Sequence, residues 1–203
     1  RRITVTFEKS LGFFPKKKVV WTGNPVRREL LQGNKDRGMV RFHLDATLPT
    51  VLVFGGGTGA ISLNMILAES LGSMLQHSNV IHLTGQGKDV MAPLIREANR
   101  NELLGRYHTY EFLMDEEMGD AYAVADIVVS RAGLSSLSEI AALGKAAVIV
   151  PIPASHQEFN ARYFVEKQAG VIVEEARGSR GLASAVIKLL KDHTERLHLE
   201  QHS

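Results

Sequence analysis

The stretch VLVFGGGTGAISLNMILAESL, residues 51 to 71, decides the fold class of this 203-residue chain. Four apolar residues run directly into three glycines, and Leu63, Ile66, Leu67 and Leu71 then recur at helical spacing. A continuous apolar strand, a tight glycine turn and a helix together form the repeating unit of parallel α/β sheets. The stretch therefore predicts a strand–turn–helix whose backbone amides are open to a ligand at the turn.

The same pattern recurs along the rest of the chain. Continuous apolar runs, rather than alternating ones, are typical of strands covered on both faces. Strands are predicted at residues 50–55, 79–85, 107–113, 126–133, 146–153 and 171–176. Beyond the helix of the opening stretch, helices are predicted at residues 88–104, 116–125, 134–144, 156–170 and 182–197. We therefore predict an α/β fold built on a doubly wound, parallel, six-stranded Rossmann-like sheet.

The residues before this sheet show a weaker pattern. Residues 3–7 and 19–23 each predict a short strand, and Pro15 with the lysines after it indicates a solvated connector. Residues 24–30 predict a turn that opens a short helix. Residues 33–49 have no clear period, so we expect a surface loop or an irregular helix there.

Composition excludes several classes of protein. The chain has no cysteine, which excludes a disulfide scaffold, thiolate catalysis and cysteine-based zinc sites. A net charge of only +2 gives no general field for nucleic acid, so no nucleic-acid partner is expected. The longest apolar runs fall short of the ~18 residues of a membrane span. The chain begins RRITVTFEKS, without an initiator Met or a signal peptide, so we expect an excised piece of a longer protein.

The glycine turn is the first of four candidate site loops. Ligands of open α/β sheets bind beyond the carboxyl ends of the strands, where these loops should meet. In Gly55–Gly59 the missing side chains let backbone amides, together with a helix N-terminus, face a phosphate or diphosphate. A merely tight turn is the alternative, because the spacing is neither that of GxGxxG nor that of a P-loop.

The second loop, SRAGLSSLSE, covers residues 130–139. Ser135 and Ser136 are placed to cap the next helix or to face a ligand. Glu139 lies one turn into that helix, where a carboxylate can accept hydrogen bonds from both hydroxyls of a ribose. The alternative for Glu139 is a first-turn acid that complements the helix dipole.

The third and fourth loops add polar side chains. His156 and Gln157 open a helix, and the amide of Gln157 suits sugar hydroxyls, whereas His156 is equally well read as an acid–base group or a surface residue. Asn160 is expected to be a helix-packing amide. Arg27 can clamp phosphate oxygens or simply face solvent. Together the four loops predict a nucleotide-sugar pocket, and the absence of metal-ligand spacing favours a metal-independent site.

Four motifs carry a resemblance to a known family. TGNPVR (22–27), GGGTGA (55–60), SRAG…SEIAALGKAAVIVPIP (130–153) and HQ..NA (156–161) resemble the C-terminal half of the MurG family. Members of that family are UDP-N-acetylglucosamine transferases that make the second lipid-linked intermediate of bacterial peptidoglycan. The resemblance implies one half of a two-domain GT-B glycosyltransferase. Its expected division is the end of an N-terminal-domain strand plus linker (1–18), a donor-binding domain (19–197) and a tail (198–203).

The resemblance also implies roles for individual residues. The diphosphate would contact Arg27, Gly56, Gly57 and Thr58; uracil and ribose would contact Leu113 and Glu139; the sugar side would be lined by Leu134, Ser135, Ser136, His156 and Gln157. The family loop is more often GGSQGA, so the side-chain hydroxyl expected at position 57 is missing here. The family often has Gln where His156 stands, which leaves the contact of His156 open.

The resemblance implies an inverting transfer of N-acetylglucosamine from UDP to the undecaprenyl-diphosphate-muramoyl-pentapeptide lipid. No cofactor is expected. The catalytic base and the lipid acceptor site would belong to the N-terminal domain, so we expect the isolated piece to be inactive. The expected location is peripheral, at the cytoplasmic face of the bacterial cell membrane. Two alternatives stay open: a stand-alone UDP-sugar-binding subunit that needs a separate membrane subunit, as in related eukaryotic enzymes, and a lipid glycosyltransferase with another acceptor.

Overall fold

A six-stranded, all-parallel sheet forms the centre of the protein. The computed structural model describes residues 1–56, 60–88 and 102–202. The strands of this sheet are β3 Thr50–Phe54, β4 Asn79–Leu83, β5 Tyr107–Tyr110, β6 Ile127–Ser130, β7 Ala147–Ile149 and β8 Gly170–Ile172. Their spatial order is β5-β4-β3-β6-β7-β8. The chain thus winds outward from β3 in both directions, and the predicted doubly wound sheet is confirmed.

The central strands are buried on both faces. Every residue of β3, β4 and β6 is buried, which explains why most residues of these strands are apolar. Val51, in β3, is paired with Val80 of β4 and Ile127 of β6. The strands end earlier than predicted, because the last residues of each predicted run belong to the loops at the carboxyl edge.

Helices cover the two faces of this sheet and form two cores. The helices are α1 Lys35–Arg41, α2 Ile61–Leu75, α3 Asp115–Val124, α4 Leu134–Ala142, α5 Gln157–Glu166, α6 Gly178–Lys191 and α7 His193–His202. On one face Leu63, Leu67 and Leu71 of α2 pack in one apolar cluster with Val51 of β3. On the other face Tyr122 of α3 packs with its ring edge against Phe54, with centroids 5.9 Å apart. Both faces of the sheet are therefore sealed, and the carboxyl edge is left for a ligand.

The helix predicted over residues 182–197 is wrong in its bounds. The chain forms two helices there, α6 and α7, which are separated at Asp192. Asp192 leaves the helical conformation with ψ of 84°, and its Oδ1 accepts from Glu195 N at 2.9 Å, so it caps α7. Residues 198–202, expected as a tail, lie in α7, and Leu199 is buried. The helix predicted over residues 88–104 lies mostly outside the described residues, which include only the 3-10 helix Glu102–Arg106.

Residues 33–49 contain a regular helix, α1, rather than a loop or irregular helix. Asn34 caps it, because its Oδ1 accepts from Arg37 N at 2.8 Å. The buried carboxylate of Asp120, in α3, binds the same turn: it accepts from Asn34 N at 2.9 Å and from Arg37 Nε at 2.7 Å. Phe42, at the end of α1, is fully buried in the core. Tertiary contacts of this kind carry no periodic signal in the sequence.

The first residues form a separate small sheet. β1 Ile3–Val5 and β2 Val19–Trp21 are parallel, with Ile3 opposite Val19. The ring edge of Phe7 packs on Tyr163 of α5, with centroids 5.4 Å apart. A 3-10 helix, Arg28–Gln32, then leads from this sheet toward α1.

A buried polar chain crosses the packing of β4 on α2. His82 is fully buried between the Tyr107 hydroxyl, 2.8 Å from Nδ1, and Asn64 Oδ1, 3.1 Å from Nε2. Because Asn64 Nδ2 donates to Thr84 O, its Oδ1 faces the ring as an acceptor, which assigns the proton to Nε2. Burial lowers the pKa of His82 to about 4, so the ring is neutral.

In the part of the chain that the structure describes, no helix combines the length and apolar character needed to cross a membrane.

Candidate functional site

A cavity of about 370 Å³ opens at the carboxyl edge of the sheet. It lies where β3, β4 and β5 end and where α4 begins. Its lining comprises Pro25, Arg27, Phe54, Gly56, Leu83, Gly85, Glu111, Phe112, Leu113, Met118, Ser135, Ser136 and Glu139. Three of the four predicted site loops therefore meet at one cavity.

The polar end of the cavity is organised around Arg27. Its Nε and Nη2 donate to Glu139 Oε1 at 3.1 and 2.9 Å, and its Nη1 pairs with Asp115. Burial alone lowers the pKa of Arg27, but the two carboxylates outweigh that effect and raise it above its ordinary value. Arg27 is thus a cation held between two acids, with 41% of its side chain open to solvent.

The side chain of Tyr122 positions the carboxylate of Glu139 by a hydrogen bond. The Tyr122 hydroxyl donates to Glu139 Oε2 at 3.1 Å, so both carboxylate oxygens have partners. Burial, with the charge of Glu139 as the next cause, raises the pKa of Tyr122 well above its ordinary value. The hydroxyl therefore stays protonated and keeps donating, which fixes the direction in which the carboxylate of Glu139 points.

Two glycines bring Arg27 to this position. The 3-10 helix after Arg27 lies directly on α3, and a Cβ added to Gly33 would overlap the carbonyl oxygen of Gly119. Gly33 has φ of −57°, so it is needed for this close approach of two backbones and not for its conformation. The approach sets Arg27 beside Asp115, which is the first residue of α3.

The other end of the cavity is largely apolar. Leu113 is buried, whereas 60% of Phe112 is exposed at the rim. Glu111, next to them, accepts from Gly87 N at 3.3 Å and so joins the loops after β4 and β5. An open aromatic face beside a buried apolar wall suits a flat ring such as a nucleobase.

Three predicted residues lie away from this cavity. Leu134 lines a second cavity of about 280 Å³, which Trp21 and Tyr163 also line. His156 is exposed immediately before α5, while Gln157 uses its Oε1 to accept from Ala132 N at 3.1 Å and from Ile152 N at 3.3 Å. The carbonyl of Gln157 thus joins two loops of the protein itself.

The predictions for Gly57, Thr58 and Asn160 have different outcomes. Gly57 and Thr58, predicted to contact the diphosphate, lie outside the described residues. Asn160 was expected to be a packing amide, and this is confirmed: its Nδ2 donates to Ala132 O at 3.0 Å.

Sequence reasoning missed Arg131, a buried cation at the same edge. Only 3% of it is exposed, and it follows β6 directly. Nη1 pairs with Glu175 Oε2 at 2.6 Å, and Nη2 donates to Ser62 Oγ at 2.5 Å. A charged residue directly after a continuous apolar strand was the available signal, because an arginine is buried only when it is paired.

Asp115 and Tyr122 were also missed. Asp115 stands in a run of acids that reads as an ordinary first turn of a helix. Tyr122 stands among apolar residues and reads as core. Only the fold shows that both side chains reach the partners of the cavity, Arg27 and Glu139.

A doubly wound parallel sheet with a cavity at its carboxyl edge is the architecture of many nucleotide-binding α/β domains, among them the C-terminal domains of GT-B glycosyltransferases. The solved structure of MurG from Acinetobacter baumannii superimposes on all of the chain with a TM-score of 0.69 and 25% sequence identity, which covers 55% of that protein. Residues 50–202 match the glycosyltransferase family 28 C-terminal domain. The chain belongs to this family.

Curated relatives agree with this assignment. A UDP-N-acetylglucosamine--N-acetylmuramyl-(pentapeptide) pyrophosphoryl-undecaprenol N-acetylglucosamine transferase from Thermodesulfovibrio yellowstonii is 32% identical over 200 residues, covering 93% of this chain and 52% of the relative. A protein of the same name from Lachnoclostridium phytofermentans is 35% identical over 190 residues, covering 91% of this chain and 51% of the relative. The chain therefore spans about half the length of these relatives.

Proposed function

We propose that this chain binds UDP-N-acetylglucosamine as the donor half of a transferase that adds N-acetylglucosamine to undecaprenyl-diphosphate-muramoyl-pentapeptide. The observation that carries the proposal is the convergence of Arg27, Gly56, Ser135, Ser136 and Glu139 on one cavity in a family 28 C-terminal domain. The activity for which the relatives are named supplies the donor and the acceptor.

The two ends of the cavity suit the two ends of a uridine diphosphate. Phe112 and Leu113 offer an apolar slot for uracil, in which backbone groups can read the base edge. Glu139 can accept from a ribose hydroxyl, because a carboxylate has about four lone-pair sites and Arg27 and Tyr122 occupy three of them. Gly56 and the N-terminus of α2 favour the diphosphate.

Arg27 changes partners on donor binding in this proposal. Arg27, Asp115 and Glu139 together have a net charge of −1. This negative charge disfavours a diphosphate while both carboxylates stay paired with Arg27. We propose that the diphosphate takes the place of Asp115 on Arg27, while Glu139 stays hydrogen-bonded to Tyr122. Charge-assisted hydrogen bonds from a guanidinium to phosphate can replace those to a carboxylate.

The transfer itself would use this half to stabilise the leaving group. As the acceptor hydroxyl attacks the anomeric carbon and UDP leaves, negative charge grows on the diphosphate, and Arg27 with the amides at the sheet edge lowers its energy without a metal or another cofactor. The base and the lipid acceptor site would come from an N-terminal domain that precedes this one. Under this proposal the chain alone has no transferase activity. The whole enzyme would work at the cytoplasmic face of the membrane.

Calorimetry with UDP-N-acetylglucosamine tests the proposal. We expect saturable binding whose affinity is the same with EDTA and with added Mg²⁺, while GDP-mannose, matched in charge, does not bind. Lack of binding, or binding that EDTA abolishes, would contradict the proposal.

A further inference from the structure

Arg131 joins four segments of the chain at the carboxyl edge of the sheet. Besides its bonds to Ser62 and Glu175, its Nη1 donates to Val150 O at 3.0 Å and to Pro151 O at 3.3 Å. The loop after β6, the first turn of α2, the loop after β7 and the 3-10 helix Glu175–Arg177 thus meet at one guanidinium.

The bond to Ser62 connects this hub to the proposed phosphate site. Ser62 is the second residue of α2, so its hydroxyl lies in the first helix turn, whose amides have no carbonyl partner within the helix. The opposite side of the guanidinium is held by Glu175, whose side chain is only 22% exposed. A planar fork can hold both partners at once, whereas the point charge of a lysine cannot.

The buried guanidinium of Arg131 depends on its hydrogen bonds, because it has little contact with water. An arginine with 3% exposure loses most of its hydration, and its Nε has no partner among the described residues although it is buried. Burying such a group is unfavourable unless its other bonds are well formed. Replacing Arg131 alone by an apolar side chain would leave Glu175 and the carbonyl of Val150 without this donor, so the guanidinium is tied to the bonds that it makes.

We propose that Arg131 is a positioning residue, which sets the first turn of α2 through Ser62 so that its amides meet the diphosphate of the donor. The inference rests on the proposed function, since it concerns the diphosphate part of the same site. It assigns no contact between Arg131 and the donor.

The test compares UDP with uridine, because only UDP carries the group that the α2 turn would bind. Affinities for both ligands are measured by NMR titration for the wild type, Ser62→Ala, Arg131→Lys and the double variant. Ser70→Ala is the matched control, since Ser70 lies on the same helix and bonds only within it. We expect Ser62→Ala and Arg131→Lys each to reduce the preference for UDP over uridine by about threefold to tenfold, with uridine affinity unchanged.

Three results would overturn the inference. The first is an unchanged preference for UDP in Ser62→Ala. The second is an equal loss of uridine and UDP affinity, which is the signature of a merely structural role. The third is a double variant whose loss of UDP preference equals the sum of the two single losses. If Ser62 and Arg131 act through one hydrogen bond, removing either partner already removes its effect. If Arg131→Lys fails to fold, Ser62→Ala decides alone. A wild type that binds UDP no better than uridine would instead contradict the proposed function.

Discussion

At the scale of single residues, Glu139 shows how one side chain can hold a protein site and read a ligand. Its two oxygens bind Arg27 on one side and Tyr122 on the other. The helix-dipole reading of this glutamate does not account for a buried tyrosine hydroxyl directed at it. The geometry favours a carboxylate that is held in place to accept from a ligand.

The substitution Glu139→Ala is expected to weaken UDP binding about tenfold, since hydrogen bonds to a charged group are lost. The comparison ligand is 2′,3′-dideoxyuridine diphosphate, which lacks the ribose hydroxyls. We expect the wild type to prefer UDP and Glu139→Ala to bind both ligands alike, as measured by calorimetry. A variant that still prefers UDP would remove Glu139 from the ribose site. Glu69→Ala, on the exposed side of α2, is the control.

His82 makes a second residue-scale prediction, on pH. Its pKa is about 4 in the folded protein and near 6.5 in the unfolded chain, so the unfolded state binds more protons between these values. Stability present above pH 6.5 is therefore lost as the pH falls toward 4, by about 3 kcal/mol in total. Urea unfolding across this range measures the loss.

The His82→Gln variant has no imidazole to titrate at this position and should lose less stability over the same pH interval. His156→Gln, at an exposed position, should follow the wild-type profile. Equal pH dependence in His82→Gln and wild type would show that the buried ring does not control acid stability.

The sequence predicted a site residue where its residue type and its position after a strand both suited a ligand. Gly56, Ser135 and Glu139 follow strands in the sequence, and the parallel topology alone brings them to one edge. Gln157 has an equally suitable side chain, but its carbonyl binds two backbone amides. The partners of a side chain across the fold are what the sequence could not give.

At the scale of elements, periodicity predicted the sheet and failed at helix ends. Strands β3, β4 and β6 are buried on both faces, so their apolar runs were unambiguous. The division of α6 from α7 depends on one aspartate cap, which leaves the apolar pattern intact. Helix α1 depends on Asp120, a residue far along the chain.

The close approach of Gly33 to Gly119 gives a prediction for elements. Gly33→Ala should lower the free energy of unfolding by about 1–3 kcal/mol, because the new Cβ forces the 3-10 helix away from α3. The same shift would draw Arg27 from the cavity and weaken UDP binding. Gly105→Ala, where a Cβ meets nothing within 4 Å, is the matched control. Equal stability of both variants would contradict this account of the packing.

At the scale of the whole molecule, the proposed donor site lies at the open carboxyl edge of the sheet. The cavity is bounded by one sheet, and the residues that would activate an acceptor are expected in the other half of proteins of this family. The fold was predictable from the alternation of strand and helix patterns along the sequence. The chain spans about half the length of its relatives, and the proposed division of labour between two halves uses this comparison.

A crystal structure of the chain with UDP tests the central claim most directly. We predict the diphosphate at Gly56 and the N-terminus of α2, with Arg27 turned from Asp115 to a phosphate oxygen. The ribose hydroxyls should lie on Glu139, and uracil should lie beside Leu113. Nucleotide bound elsewhere, or a carboxyl edge that stays empty at saturating UDP while Arg27 keeps both carboxylates, would contradict the account.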